Sequence, residues 1–356
     1  MQNANAVIVE SGRLSRFCEH VFTAAGLPGD EARTVARCLV DANLAGLDSH
    51  GVSRVGDYLT RLGKGLIQKA THLEVVAETP GTALLDAGNG WGQVASQAAV
   101  DIAVRKAREV GTAWVGVRNS NHNGTAGYWT GKLADAGMVG IAGTNGSPVM
   151  APFGGREASL GTNPISIAVP SATGRPIVLD MATSAQARGR ILLARKNGDP
   201  IPEGWALTRD GLPTTDAQEA WEGILLPAAG PKGSGLAIMV DILSGVLNGA
   251  SFGSTMPRMY ADPAPQRLGH FFIALDIAAL TPMDEFLQRM AIRERETRET
   301  SPAPGVDAVL MPGDVEARNS ERHQRDGITL SKAIHEELLA TAARLKVADT
   351  LLPASS

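Results

Sequence analysis

The amino-acid sequence predicts an α/β protein with a helical N-terminal region. Residues 11–70 carry apolar side chains at helical spacing, for example Ala32, Val35 and Leu39. From about Val75 the pattern changes to short apolar runs bounded by Gly, Asn and Pro, which alternate with longer amphipathic segments. We therefore expect buried strands and packed helices in the rest of the chain.

Each element follows from its local pattern. Strands are predicted, in chain order, at 82–87, 112–117, 139–142, 165–169, 176–180 and 271–275. Helices are predicted at 28–47, 51–62, 94–110, 235–247 and 331–345, and Thr281 with Pro282 is expected to cap and open another. The predicted domains are a helical N-terminal region (1–75), a central sheet domain with the cofactor and substrate site (76–255), and a C-terminal strand and helices that pack back on the helical region (256–356).

The composition is that of an ordinary globular protein, with 44% hydrophobic residues, 20% charged residues and a net charge of −4. No basic excess points to nucleic acid or to an anionic membrane, and no apolar run is long enough to span a bilayer. The first ten residues lack the regions of a signal peptide. Cys18 and Cys38 cannot form a disulfide framework and fit a reducing compartment. We expect a cytoplasmic protein without a metal site.

The most informative stretch is LDSHGVSR at 47–54, which we expect to open a helix. His50 would lie at the helix N-terminus, where positive potential lowers the pKa of an imidazole, with Arg54 one turn along the same face. This pair suits oxidation of a hydroxyl group next to a carboxylate. Arg54 would bind the carboxylate through two contacts, and His50 would take the hydroxyl proton. The alternative is a capped surface helix with an ordinary histidine.

Two glycine-rich stretches raise the question of a nucleotide. The predicted strand–helix–strand unit at 82–117 fails the dinucleotide fingerprint, because Gln93 replaces its third glycine and the second strand runs into Arg118 rather than an acidic residue. A Rossmann fold is therefore not expected. The loop GPKGSG at 230–235 lacks P-loop spacing, although Lys232 and free amides ahead of a helix could hold a phosphate. The alternative is a solvated loop with a lysine.

Eight motifs, in order and at their spacing, resemble the malate/L-lactate dehydrogenase family, which is separate from the Rossmann lactate and malate dehydrogenases. They are DSHG at 48–51, NHNG at 121–124, APFGG at 151–155, GTNP at 161–164, DMATS at 180–184, GLPTTD at 211–216, PKG at 231–233 and MPG at 311–313. The resemblance runs from about residue 15 to 345. Residues 225–253 look most like the ureidoglycolate dehydrogenases of the family, and the N-terminal helices look closer to its general hydroxycarboxylate dehydrogenases.

The resemblance implies a non-Rossmann α/β fold with a largely antiparallel central sheet, flanking helices and homodimers. It also implies an NAD- or NADP-dependent oxidoreductase that transfers a hydride between the nicotinamide cofactor and a small 2-hydroxy acid or 2-oxo acid. The sequence does not choose between the two cofactors. The alternatives are an imine or diketo-acid reductase of the same family and a dinucleotide-binding protein without turnover.

Matched motifs carry residue roles over from the family. His50 would be the proton donor and acceptor with Ser49 as its partner, and His122 competes for that role. The substrate would contact Arg54, Thr162, Arg188 and Gly189. The cofactor would contact His122, Asn123, Gly124, Thr125, Ala126, Asp180, Met181, Ala182, Lys232, Gly233, Met311, Pro312, Gly313, Asp314, Val315 and Glu316.

One position departs from the imine-reducing branch. That branch has an aspartate where this chain has Arg190. Arg190 argues against an imine substrate and for an anionic one, unless it is an ordinary surface charge.

Overall fold

A computed structural model describes residues 6–259 and 262–348. The helices are α1 (Ser11–Ala24), α2 (Gly29–Leu44), α3 (Val55–Gly63), α4 (Gly92–Val110), α5 (Ala126–Asp135), α6 (Arg188–Asn197), α7 (Ala217–Glu222), α8 (Pro231–Asp241), α9 (Met283–Arg298), α10 (Asp314–Asp326) and α11 (Lys332–Leu345). The strands are β1 (Ala6–Val9), β2 (Glu74–Glu78), β3 (Thr82–Asp86), β4 (Thr112–Ser120), β5 (Met138–Thr144), β6 (Ile165–Val169), β7 (Ile177–Met181), β8 (Ala206–Leu207), β9 (Ile224–Leu225), β10 (Leu268–Asp276) and β11 (Ile328–Ser331).

A central sheet organises the described part of the chain. Seven strands pair there in the order β2-β3-β4-β10-β5-β6-β7. Every neighbouring pair is antiparallel except β3 and β4, which α4 connects as a parallel unit. The predicted α/β fold with a largely antiparallel sheet is thus confirmed. The structure contains the predicted strand–helix–strand unit at 82–117, but the sheet around it does not have the Rossmann topology.

The helical N-terminal region closes around its own apolar core. Phe17, Phe22, Leu39 and Tyr58 from α1, α2 and α3 are buried there together with Trp91, which precedes α4. β1 pairs with β11, and α11 packs against α1 and α3. The two ends of the described chain therefore meet on this region.

The strand of the predicted C-terminal segment lies elsewhere than expected. β10 pairs with β4 on one side and β5 on the other, in the middle of the central sheet. The later elements of 256–356, α10, β11 and α11, do contact the helical region. Long-range strand pairing of this kind leaves no local trace in the sequence, and so the expected packing of this strand was wrong.

Three predicted helix starts also differ. Residues 48–54 form two short 3-10 turns, Asp48–His50 and Val52–Arg54, and the α-helix begins only at Val55. α8 begins at Pro231, so Lys232 lies in its first turn instead of in a preceding loop. Pro282, not Thr281, is the residue that precedes α9.

The glycine-rich turn before α4 allows a close approach of two backbones. A Cβ atom on Gly92 would lie 2.0 Å from the carbonyl oxygen of Asn121 and 2.6 Å from that of His122. Only glycine leaves room for this contact, and it fixes the position of the chain that carries His122. The glycine at this point serves backbone packing.

We expect Gly92→Ala to lower the free energy of unfolding by about 2 kcal/mol or more, because neither backbone can move away without disturbing α4 or β4. Gly131→Ala is the matched control, since a Cβ atom there would meet nothing within 4 Å and alanine favours a helix interior. Chemical denaturation measures both variants. Equal unfolding free energies in the two would contradict this account.

Candidate active site

A buried asparagine holds the His50 segment in place. Asn43 on α2 donates from Nδ2 to Asp48 Oδ1 at 2.6 Å and accepts the Val52 N–H at Oδ1, at 2.8 Å. A Cβ atom on Gly51 would lie 2.2 Å from that same Oδ1. The two 3-10 turns are therefore clamped on Asn43, and His50 is presented ahead of α3 rather than from its first turn.

Arg54 lies near His50, but its contacts differ from the predicted ones. Its Nε donates to the Ser49 carbonyl oxygen at 2.6 Å, and its Nη1 pairs with Asp57 Oδ2 at 3.1 Å. The predicted arrangement on one face of an α-helix is wrong, because the chain turns at Gly51. The guanidinium still lies close enough to His50 to affect its charge.

His50 and His122 stand side by side. Their ring centroids are 5.5 Å apart with an interplanar angle of 30°. Ser49 Oγ lies 3.0 Å from His50 Nδ1, and the hydroxyl of Tyr58 lies 2.7 Å from His122 Nδ1. Because each Nδ1 already has a partner in the protein, Nε2 is the atom that each ring can offer to a substrate.

Both imidazoles are neutral at neutral pH. Burial, with Arg54 as the second cause, lowers the pKa of His50 to about 4. Burial, then His50, Arg54 and His270, lowers the pKa of His122 well below its ordinary value. The predicted direction for His50 is the same, but desolvation causes it rather than a helix N-terminus.

A third histidine supports this site from inside the sheet. His270 on β10 is fully buried, with Nδ1 2.7 Å from Thr144 Oγ1 and Nε2 2.9 Å from Ser120 Oγ. Burial lowers the pKa of His270 to about 3. It ties the ends of β4 and β5 together beside the segment that leads to His122.

Sequence reasoning missed Tyr58, Gln93 and His270. Gln93 is buried in the first turn of α4, and its Nε2 donates to the Tyr58 hydroxyl at 3.0 Å. The signal for Gln93 was present, because it occupies the position at which the dinucleotide fingerprint requires glycine. A polar side chain there serves His122 through Tyr58.

The chain segments that carry the two histidines also border a cavity of about 360 Å³, although neither histidine lines it. Leu47 and Thr125, each three positions from one of the two histidines, line it. Its walls come from the end of α2, the start of α5, β7 and the start of α10. Five predicted cofactor residues line it: Thr125, Asp180, Pro312, Gly313 and Glu316. A neighbouring cavity of about 270 Å³ shares residues with it, among them Arg175 and Gly313.

The chemistry of these walls suits a dinucleotide. Asp180 Oδ2 accepts the Gly127 N–H at 2.7 Å, and a Cβ atom on Gly127 would lie 2.9 Å from that oxygen. Although Asp180 keeps some contact with solvent, desolvation and, to a smaller extent, Glu316 raise its pKa to about 6. Carboxylates beside free backbone amides at two helix starts can hold ribose hydroxyls and phosphates, and the volume is typical of a ligand site.

Other predicted residues lie apart from the cavities among the described residues. Arg188 stacks 4.8 Å from the Trp221 ring centroid and donates to its carbonyl oxygen at 2.7 Å. The Thr162 carbonyl accepts from Thr183, and Lys232 is exposed on α8. Also outside both linings are Met181, Ala182, Gly189, Gly233, Met311 and Val315. The same holds for the histidine site and the segment after β4, that is, for Ser49, His50, Arg54, His122, Asn123, Gly124 and Ala126. Asp314 lines the smaller cavity and pairs with Arg298.

The segment after β4 holds the remaining predicted contacts in one turn. Asn123 Nδ2 donates to Ser96 Oγ at 3.0 Å, and the Gly124 N–H donates to His122 Nδ1 at 3.3 Å. Ala126 begins α5. Within the described residues, no group of three or more His, Cys, Asp or Glu side chains is placed to bind a metal ion, and no helix is long and apolar enough to cross a membrane.

Comparison with known proteins identifies the family. The profile described as malate/L-lactate dehydrogenase matches residues 9–339. The chain is 38% identical over 351 residues to a malate dehydrogenase of Pyrococcus abyssi, covering 96% of each protein. It is 36% identical over 330 residues to the NAD(+) ureidoglycolate dehydrogenase of Escherichia coli, covering 92% of this chain and 94% of that enzyme.

The structural comparison agrees. The solved sulfolactate dehydrogenase of Methanocaldococcus jannaschii superimposes with a TM-score of 0.90 at 38% identity, covering 96% of this chain and 98% of that one. The relatives and the structural neighbour with which this fold superimposes are dehydrogenases. The chain belongs to the malate/L-lactate dehydrogenase family, and the predicted resemblance is confirmed.

We expect His270 to make the protein sensitive to acid. Its folded pKa of about 3 lies below the ordinary 6.5, so the unfolded chain binds the proton first as the pH falls. The stability that depends on neutral His270 is complete above about pH 6.5 and declines below it, by about 2–3 kcal/mol at pH 4.5. The raised pKa of Asp41 and of Asp180 acts in the opposite direction, so the measurement must compare variants.

The comparison uses His270→Gln, with the exposed His20→Gln as control. Unfolding free energies are measured by denaturant titration from about pH 7 to 4.5. His270→Gln should be less stable than wild type at pH 7 but should lose less stability on acidification, whereas His20→Gln should follow wild type. An unchanged pH slope in His270→Gln would refute the assignment.

Proposed function

We propose that this protein oxidises a small 2-hydroxy acid and reduces the corresponding 2-oxo acid, with His50 and His122 handling the proton and Arg54 the carboxylate. The predicted class, an NAD(P)-dependent dehydrogenase, is confirmed by membership of the family, whose relatives are named for malate, sulfolactate or ureidoglycolate and for NAD(+) or NADP(+). The observation that carries the residue assignment is the neutral histidine pair with the Arg54 guanidinium close to both rings.

The cofactor site that we propose is the pair of cavities between β7 and the start of α10. Thr125, Asp180, Gly313 and Glu316 would hold the dinucleotide. When bound, the nicotinamide ring accepts the hydride in the oxidative direction and returns it in the reductive one. Lys232 stays a predicted cofactor contact, which fluorescence titration of NADH against Lys232→Ala can test.

Substrate binding would change the charge balance at His50. The Arg54 guanidinium is one cause of the low pKa of His50. A substrate carboxylate beside Arg54 would offset that positive charge and raise the proton affinity of His50. The site would thus become a better base when the correct anion is in place, which favours an acid over a neutral alcohol. We infer that the substrate carries a carboxylate. The basic Arg190 in the first turn of α6 favours an anionic 2-hydroxy acid over an imine.

We expect His50→Gln to lower kcat by about 10²- to 10⁴-fold, the usual range for loss of an acid–base group. The assay follows reduced cofactor at its absorbance maximum, with malate, lactate, sulfolactate and ureidoglycolate tested against NAD and NADP. NADH affinity from fluorescence titration should be unchanged, because the predicted role concerns the substrate proton. A near-wild-type kcat in His50→Gln would assign the acid–base role to His122. If the wild-type protein turned over none of the four acids with either cofactor, the proposed function would be refuted.

We also propose that the protein is a homodimer, because one face of the sheet is apolar and partly exposed over β6 and β7 in the described chain. Trp114, Ile273, Ile141, Ile167 and Leu179 lie directly opposite one another across five neighbouring strands. α4 and α5 pack on the other side of these strands. Ile167, inside the row, is 36% exposed, and Leu179, on the edge strand β7, is 37% exposed.

The surface beside this row is apolar as well. α8 and the π-helical turn after it (Ile242–Val246) lie against β4, β5 and β10. More than a third of each of these side chains is exposed: Ile238, Met239, Ile242, Val246 and Leu247. Monomers rarely expose contiguous apolar patches above a few hundred Å². A second copy is the occupant that suits a flat sheet face, because a two-fold axis places the same face against itself.

We expect wild type to have about twice the mass of the 37.1 kDa chain in light scattering after size-exclusion chromatography. Met239→Glu should shift this mass toward the monomer, since it places a charge in the apolar surface. Leu280→Glu is the control, because Leu280 is 72% exposed and follows β10, away from α8. A monomeric wild type, or a dimer insensitive to Met239→Glu, would contradict the proposed interface.

A cytoplasmic location is proposed from the cysteines. Cys18 and Cys38 are buried and form no disulfide in the described chain. Burial raises the pKa of both thiols, so neither is activated for reaction. Stable buried thiols fit a reducing compartment.

A further inference from the structure

We propose that Gly124, Tyr58 and Gln93 hold His122 in the tautomer protonated at Nε2, so that His122 donates a hydrogen bond to the substrate oxygen while His50 takes the proton. This inference rests on the proposed function and deepens it. It assigns different roles to two histidines that sequence alone leaves in competition. The assignment depends on which group donates and which accepts in the hydrogen bonds that join Gln93, Tyr58, Gly124 and His122.

The backbone amide of Gly124 gives the first constraint. Its N–H donates to His122 Nδ1 at 3.3 Å. A backbone N–H can only donate, so Nδ1 must present its lone pair. A neutral imidazole has one proton, which then lies on Nε2.

Tyr58 and Gln93 give the second constraint. The Tyr58 oxygen lies 2.7 Å from His122 Nδ1, and with no proton on that nitrogen the hydroxyl must donate. The same oxygen accepts from Gln93 Nε2 at 3.0 Å. Gln93 therefore donates to Tyr58, and both Tyr58 and Gly124 donate to Nδ1 of His122. Tyr58 and Gln93 are positioning residues, because they act on the substrate only through the imidazole.

His50 has no such constraint. Its Nδ1 faces the Ser49 hydroxyl, which can accept as well as donate. When the hydroxyl accepts, His50 keeps its proton on Nδ1 and offers the lone pair of Nε2. With ring centroids 5.5 Å apart, one substrate oxygen can meet both Nε2 atoms. One ring then donates to that oxygen while the other accepts from it.

In the oxidative direction the substrate O–H bond breaks, and its proton forms an N–H bond at His50 Nε2. The hydride leaves the carbon with its electron pair for the oxidised nicotinamide dinucleotide, and the C=O bond forms. The Nε2–H of His122 stabilises the oxygen throughout without being transferred, as a neutral donor can do at a site where charge develops.

The experiment reads the tautomer directly. Full-length protein labelled with ¹⁵N-histidine is examined by imidazole ¹⁵N NMR near pH 7.5 without ligands, and the His122 signals are assigned by their loss in His122→Gln. We expect a protonated Nε2 and an unprotonated Nδ1. A His122 signal protonated at Nδ1 would overturn the proposal. This result needs no positioning variant and no turnover, so it is distinguishable from failure of the proposed function.

Gln93→Glu then reverses the chain. When ionised, the introduced carboxylate can only accept, so the Tyr58 hydroxyl turns toward it and no longer donates to His122 Nδ1. The share of His122 protonated at Nδ1 should rise in the spectrum, opposed by the Gly124 N–H alone, and kcat should fall at least about ten-fold while NADH affinity stays the same. Gln97→Glu, one turn along α4 and half-exposed, should change neither. An unchanged His122 tautomer in folded Gln93→Glu would overturn the assignment of Tyr58 and Gln93 as positioning residues.

Discussion

The start of α4 presses on the backbone of Asn121 and His122, and most of the site depends on this contact. Gly92 allows the approach, Trp91 just before it is buried in the core of the helical region, and Gln93 just after it bonds Tyr58. Three successive residues thus connect the helical region, the central sheet and the histidine pair. A shift of α4 would move His122 relative to His50, because the two histidines are carried by different sides of this junction.

Desolvation is what gives the histidines their chemistry. His50, His122 and His270 are kept neutral mainly by burial, and Arg54 adds a positive charge that opposes protonation of the first two. Protonation of a histidine in such a cluster is unfavourable unless an anion lies nearby. The carboxylate of a bound substrate would be such an anion. In the function that we propose, the charge of the substrate would therefore help to make His50 a base, which favours an acid as the substrate of this protein.

The sequence was sufficient for the features with a local pattern. Six strands and the long helices were predicted near their observed positions, and the failed fingerprint correctly excluded a Rossmann fold. α10 was not predicted, because its sequence DVEARNSERHQRD is polar around its circumference and has no apolar period. Tyr58 and His270 could not be assigned to the site either. Each bonds a partner more than 60 positions away, and only the fold brings them together.

The two faces of the central sheet are built for different neighbours. On one face α4 presents Ala95, Ala99, Ala103 and Ala107, all fully buried, and these small side chains let the helix lie close to β4 and β10. The other face carries large side chains that no helix of the described chain covers over β6 and β7. Asp180 shows how the two faces meet in one strand. It faces Gly127 at the start of α5, whereas Leu179, its neighbour along β7, belongs to the opposite row. Because strand side chains alternate, the side chains of Asp180 and Leu179 face opposite sides of the sheet, although Val178, Leu179 and Asp180 all line the cavity that we propose for the cofactor. β7 thus borders both that cavity and the surface that we assign to the partner subunit.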